Sequence, residues 1–82
     1  MIKCAAIKTP DGKIVSLPKP NRHHDIIRII FESDGNYDHN SIQGFLTIDD
    51  KFVDRIKALK IALESKQIQK TSFNRLYSED LW

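Results

Sequence analysis

Short apolar runs punctuated by turn residues alternate with apolar positions at helical spacing along this 82-residue chain. Residues 2–8 and 13–17 read as two strands joined at Thr9-Pro10-Asp11-Gly12. Proline sets φ at the second turn position and glycine accepts a left-handed backbone at the fourth, so a hairpin with a type I turn is expected. Leu17-Pro18-Lys19-Pro20 cannot continue the ladder, because its prolines lack N–H donors, and reads as an extended connector. A helix follows, with Asn21 as its expected N-cap. In it Ile26, Ile27 and Ile30 share one face, which Ile29 and Phe31 widen. Residues 33–41 are polar and rich in Asp, Asn and Gly, the composition of a loop. Residues 42–47 and 51–53 then predict short strands about Asp49-Asp50. A second helix is expected over about 54–65, where Ile56, Leu59 and Leu63 recur beside Ala58 and Ala62. Asp54 is placed to cap it, and the alanines permit close approach of a neighbouring element. The expected fold is α+β: a small antiparallel sheet, made of the N-terminal hairpin and short central strands, packed with two helices.

This length makes one domain, 1–82. A domain so small covers a modest share of its surface, so a homo-oligomer, a dimer or an assembly of dimers, is expected. No apolar run approaches a membrane span, and the leading apolar stretch is too short for a signal-peptide core, so a cytosolic location is expected. The single Cys4 excludes an internal disulfide and a four-cysteine zinc site.

The net charge of +2 conceals alternating blocks. Residues 1–28 carry six basic and two acidic side chains, 32–50 five acidic and no basic, and 51–75 seven basic and two acidic. Two basic segments around an acidic one suit local anion sites better than the continuous stripe of a duplex-binding protein.

Four clusters carry candidate chemistry. In Asn21-Arg22-His23-His24-Asp25, a helix N-terminus with its free N–H groups sits beside the charge of Arg22, so a phosphate is one occupant and a solvated, dipole-offsetting turn is the other reading. Adjacent helical residues diverge by about 100°, which argues against a metal held by His23, His24 and Asp25. In Gln43-Gly44-Phe45-Leu46-Thr47, strand alternation sends either Phe45 or Leu46 to the core. An exposed Phe45 would stack on a base for about 1–3 kcal/mol. In Phe52-Val53-Asp54-Arg55, Asp54 is a helix cap that can also meet a ribose hydroxyl. Arg75 precedes Leu76-Tyr77-Ser78-Glu79-Asp80-Leu81-Trp82, whose Leu76, Tyr77, Leu81 and Trp82 are expected to dock on the body or on a second subunit. No nucleophile elbow, phosphate-binding glycine loop or paired-histidine zinc motif is present, and neither catalysis nor a cofactor is expected.

The run from Ser16 to Ile27, with Gln43-Gly44-Phe45-Leu46-Thr47, Phe52-Val53-Asp54-Arg55, Ala58, Ile61-Ala62 and the closing Leu76-Tyr77-Ser78-Glu79-Asp80-Leu81-Trp82, resembles a widespread group of small phage proteins over nearly the whole chain. Within that group it is similar to the first-described Thoeris anti-defence family, sponges for the cyclic ADP-ribose isomers made by bacterial TIR-domain enzymes. The resemblance implies a non-enzymatic oligomer of dimers that traps its signal between subunits. It implies ligand-binding roles for Arg22, Phe45, Asp54 and Arg75, with His23 beside Arg22. Asp54 stands where that family has asparagine, and a further basic position of the family falls near the uncharged Thr71. Cyclic oligonucleotides are a second ligand class the resemblance implies. Two other functions stay open: an adaptor that binds a host protein through the tail and the acidic loop, and a hydrolase using His23, His24 and Asp25.

Overall fold

A single antiparallel sheet with strand order β2-β1-β3-β4 organises the computed structural model, which describes residues 1–68 and 75–82. In chain order the elements are β1 (Ile2–Lys8), β2 (Ile14–Ser16), α1 (His23–Asp34), β3 (Ile42–Thr47), β4 (Phe52–Asp54), α2 (Arg55–Glu64) and a 3-10 turn (Ser78–Asp80). The expected α+β class, with its antiparallel sheet and two helices, is the observed one.

Both hairpins close in the same way. Thr9 O accepts from Gly12 N at 2.9 Å and Thr9 N donates to Lys13 O at 2.8 Å. Gly12 takes φ +91°, which lets the strands pair beyond a type I turn. At the second hairpin Thr47 O accepts from Asp50 N at 2.8 Å, and Thr47 N donates to Lys51 O at 2.9 Å. There Asp50 supplies the left-handed residue, at φ +62°, a conformation that aspartate tolerates better than most side chains. Ile48, at an exposed corner of this turn, plays no part in closing it.

β1 is the central strand, paired with β2 on one side and β3 on the other, and its residues from Cys4 to Ile7 are buried on both faces. Two of them are alanines, small enough for layers to approach on either side. Cys4 is among them, and burial raises its thiol pKa. Gln67 fastens the start of the strand: its Oε1 accepts from Ile2 N at 2.5 Å and its Nε2 donates to Ile2 O at 2.9 Å. A side-chain amide thereby stands in for one residue of a neighbouring strand.

At Gly44 the sheet leaves no room for a side chain. A Cβ built there would lie 2.2 Å from Val53 O and 2.7 Å from the Phe52 ring. The obstacle is backbone, so Gly44→Ala must part β3 from β4. A loss of about 1–3 kcal/mol is expected from urea unfolding midpoints. A variant as stable as the parent would show that the strands separate freely.

The helices bury less of their apolar surface than their spacing predicts. On α1, Ile26 and Ile30 are buried and Ile27 is half-buried, while Ile29 and Phe31 are exposed. On α2, Ala58, Leu59 and Ala62 face the core, whereas Ile56 is 62% exposed and Leu63 is exposed too. The alanine stripe lets α2 lie close to the sheet, and that rotation leaves Ile56 outward. Among the described residues no helix is long and apolar enough to cross a membrane.

Candidate functional site

The N-terminus of α1 is built differently from its sequence expectation. Arg22, not Asn21, is the N-cap residue, because the Asn21 side-chain amide donates to Pro18 O at 2.8 Å. The first turn is closed by Asp25, whose Oδ2 accepts from Arg22 N at 2.9 Å. Arg22 itself is occupied. Its Nε donates to Trp82 O at 2.9 Å, its Nη2 donates to the same oxygen, and Trp82 Nε1 donates to Asn21 O at 2.9 Å. The guanidinium expected to await a phosphate therefore clasps the C-terminal segment of its own chain.

Asp25 accepts from the Arg22 N–H and lies near His24 and Arg28, and these hold its carboxyl below the ordinary value. A carboxyl depressed by folding contributes stability that is present above its unfolded pKa and lost as pH falls through its folded pKa. Asp25→Asn is accordingly expected to be less stable than the parent at pH 7, with the gap closing below about pH 4. Urea midpoints at pH 7 and pH 3 check this; a gap of equal size at both would rule out the ionised form as its source.

His23 and Phe45 form a latch in the interior. His23 is 8% exposed, and its Nε2 lies 2.7 Å from Gly44 O. A carbonyl only accepts, so Nε2 carries a proton and donates. The imidazole also meets the Phe45 ring edge to face, with centroids 5.0 Å apart at 79°. Phe45 is 0% exposed. Strand parity thus resolves the alternative left open by the sequence: Phe45 points into the core and Leu46 is half-buried, so Phe45 is no open platform for a base. Nor do His23 and His24 converge, since His23 turns inward and the His24 side chain is 67% exposed.

Asp54 and Arg75, 21 positions apart, do come together. They line one hollow of about 310 Å³ with Ser41, Ile42, Gln43, Arg55 and Ile56. β4 delivers Asp54 to the start of α2, where its Oδ1 caps the helix by accepting from Lys57 N at 2.8 Å. Arg75 is brought in by the returning tail. Leu76 N donates to Arg55 O at 2.8 Å, and the Leu76 side chain is fully buried. Arg22, His23 and Phe45 lie outside this hollow, and Thr71 falls outside the described residues.

Two residues of the hollow escaped the sequence reading. Arg55 adjoins Asp54 in the Phe-Val-Asp-Arg cluster, and its Cζ sits 5.3 Å from the centroid of Tyr77. Its position next to a predicted cap was the available signal. Ser41, which ends the polar loop, offered none. Its Oγ is shielded from solvent and has no hydrogen-bond partner among the described residues. A buried hydroxyl left so costs on the order of 1–3 kcal/mol.

Charge separates this hollow from two others of similar size. A hollow of about 300 Å³ carries Asp11, Asp34 and Asp38 against Lys13, and one of about 330 Å³ between β2 and α1 pairs Lys13 with Asp34. With Arg55 and Arg75 against Asp54, only the Asp54 hollow among these three has a basic excess. It suits an anion with hydroxyls nearby, since guanidinium forks bind phosphate oxygens and a carboxylate accepts from a sugar hydroxyl. The exposed Ile42 and Ile56 give it an apolar rim.

No curated protein and no solved structure matches this chain. A family model described as Phage T4 y16D protein matches residues 1–82, and the chain therefore belongs to that phage protein family.

Proposed function

We propose that this phage-family protein binds and sequesters a nucleotide-like anion, a TIR-made cyclic ADP-ribose isomer, without hydrolysing it, and so blocks Thoeris immunity. The observation that carries the proposal is the convergence of Asp54 and Arg75 on one basic hollow with an apolar rim. Arg75 takes phosphate oxygens, Asp54 a ribose hydroxyl, and the isoleucines the apolar face of the base. Arg22 and Phe45 drop out of the ligand set, because one clasps Trp82 and the other is sealed in the core. Sequestration needs affinity and copy number but no chemistry, and a nanomolar complex, worth about −12 kcal/mol, would leave little free signal. A homo-oligomer in the host cytosol is the natural form for such a protein, because a second subunit would close the open side of the hollow.

The adaptor reading is weaker. The tail that would reach a host protein has Leu76 fully buried and Trp82 fastened to Asn21, so part of its apolar surface is already spent on the body.

The test is a thermal-shift assay against the product mixture of a TIR-domain enzyme, followed by mass spectrometry of what heating releases. A ligand at a hundred times its dissociation constant stabilises by about 2.7 kcal/mol. The parent is expected to gain several degrees and to release intact ligand, and Arg75→Ala is expected to lose the gain while keeping its unliganded Tm. No shift for the parent would reject the proposal, and recovery of cleaved product would turn it towards hydrolysis.

A further inference from the structure

We infer that Arg55 is a second anion-binding guanidinium of the Asp54 and Arg75 hollow, and that Tyr77 is the residue that positions it. The inference rests on reading that hollow as a site for a nucleotide-like anion, and it assigns the side chains that distinguish two adjacent phosphates from one.

Arg55 opens α2, so its backbone is set by the Asp54 cap immediately before it. Its carbonyl accepts from Leu76 N at 2.8 Å. One hydrogen bond therefore ties the base of Arg55 to the residue next to Arg75, and both arginines line the same hollow. The Arg55 head meets the Tyr77 ring with Cζ 5.3 Å from the centroid. An aromatic contact of this kind attracts the cation without consuming its N–H donors. Among the described residues Arg55 is in no ion pair, since the pairs present join Lys3 to Asp50 and Asp25 to His24 and Arg28. Asp54, the carboxylate beside it, accepts from a backbone N–H.

Tyr77 is itself held. Its N–H donates to Asp80 Oδ2 at 3.0 Å, its neighbour Leu76 is buried, and the segment ends in the Trp82 clasp on Asn21 and Arg22. A solvated arginine samples many rotamers, and contact with a fixed ring removes that freedom before a ligand arrives, which is preorganisation. Two guanidinium forks brought to one hollow would match the oxygens of a diphosphate. A lone phosphate is satisfied by one.

The experiment is calorimetric titration of the full chain, at low ionic strength, with inorganic pyrophosphate and with orthophosphate as probes. The parent is expected to favour pyrophosphate. Arg55→Ala is expected to lose about 10- to 150-fold in pyrophosphate affinity and little for orthophosphate, collapsing the ratio. Tyr77→Leu is expected to lose about three- to thirtyfold for pyrophosphate, and Tyr77→Phe, which keeps the ring, to behave as the parent. If Arg55→Ala keeps the parent's affinity and ratio while Arg75→Ala loses binding, Arg55 is a tether for the tail and this inference falls while the hollow stands. If the parent binds neither probe, or Arg55→Ala and Arg75→Ala both bind as the parent does, the anion reading of the hollow falls too. A Tyr77→Leu variant with a lowered Tm and an unmoved ratio would overturn the positioning role.

Discussion

Phe45→Ala is expected to be the most damaging single truncation in this chain, at about 3–5 kcal/mol. The ring has no exposed surface, it meets the His23 imidazole edge to face, and it sits on the strand between β1 and β4. Removing it leaves a void bounded by α1 on one side and the sheet on the other, and backbone pairing prevents β3 from moving in to fill it. Against the total stability of about 5–15 kcal/mol usual for domains, such a loss would leave a measurable unfolded population in water. Urea unfolding followed by circular dichroism provides the number. Phe45→Leu, which refills much of the volume, should recover most of the stability and bind ligand as the parent does, since the ring lies outside the basic hollow. A Phe45→Ala protein within 1 kcal/mol of the parent would show that this interior repacks, and selective loss of ligand by a stable Phe45→Leu would restore the ring to the site.

Leu76→Ala has the second-largest expected effect, and its character differs. The side chain is fully buried in the core, so truncation removes about 2–5 kcal/mol of packing. Leu76 lies outside the strands and helices, so the loss is expected to fall on docking of the tail before it reaches the sheet. The sensitive readout is hydrogen exchange at the Leu76 amide, which is bonded to Arg55 O. A destabilisation of 2 kcal/mol, at the lower end of that range, should speed exchange there about 30-fold while β1 amides keep their protection. Arg75 and Tyr77 flank Leu76, so ligand affinity should fall in parallel. Unchanged exchange at this amide would mean that the segment is anchored mainly elsewhere, with the Trp82 clasp the first alternative.

The parts of the fold legible in the sequence are those governed by local chemistry. Thr9-Pro10-Asp11-Gly12 closes as its turn residues dictate, β3 spans the expected 42–47, and Asp54 caps α2 because a carboxylate three residues before a free N–H has a strong local preference. The burial of Leu76 and the half-burial of Leu81 and Trp82 on the body follow from the apolar composition of the tail. What escaped reading was set by tertiary contacts. Asn21 is a good cap by type, yet Pro18 O takes its amide and Asp25 closes the turn instead. Ile56 shares helical spacing with Leu59, yet the alanine stripe decides which side of α2 meets the sheet. Parity in β3 left Phe45 and Leu46 as equal alternatives, and His23 decided between them by meeting Phe45 in the core.

The candidate site divides along the same line. Asp54 and Arg75 meet because the tail returns to the start of α2, a long-range event that no local pattern encodes. Arg22 carries its charge at a helix start, and that charge is answered from within the chain by Trp82 O, 60 positions away. An arginine is recognisable in a sequence; its acceptor is not.

The Trp82 clasp has a practical corollary. The chain holds one tryptophan, half-buried against the body with its indole N–H donating to Asn21 O. Its fluorescence is therefore an intrinsic gauge of whether the strap bearing Arg75 and Tyr77 is closed: emission moves to longer wavelength as the indole meets water. With no dye and no label, a stopped-flow record of that one chromophore would time the opening and closing of the ligand wall.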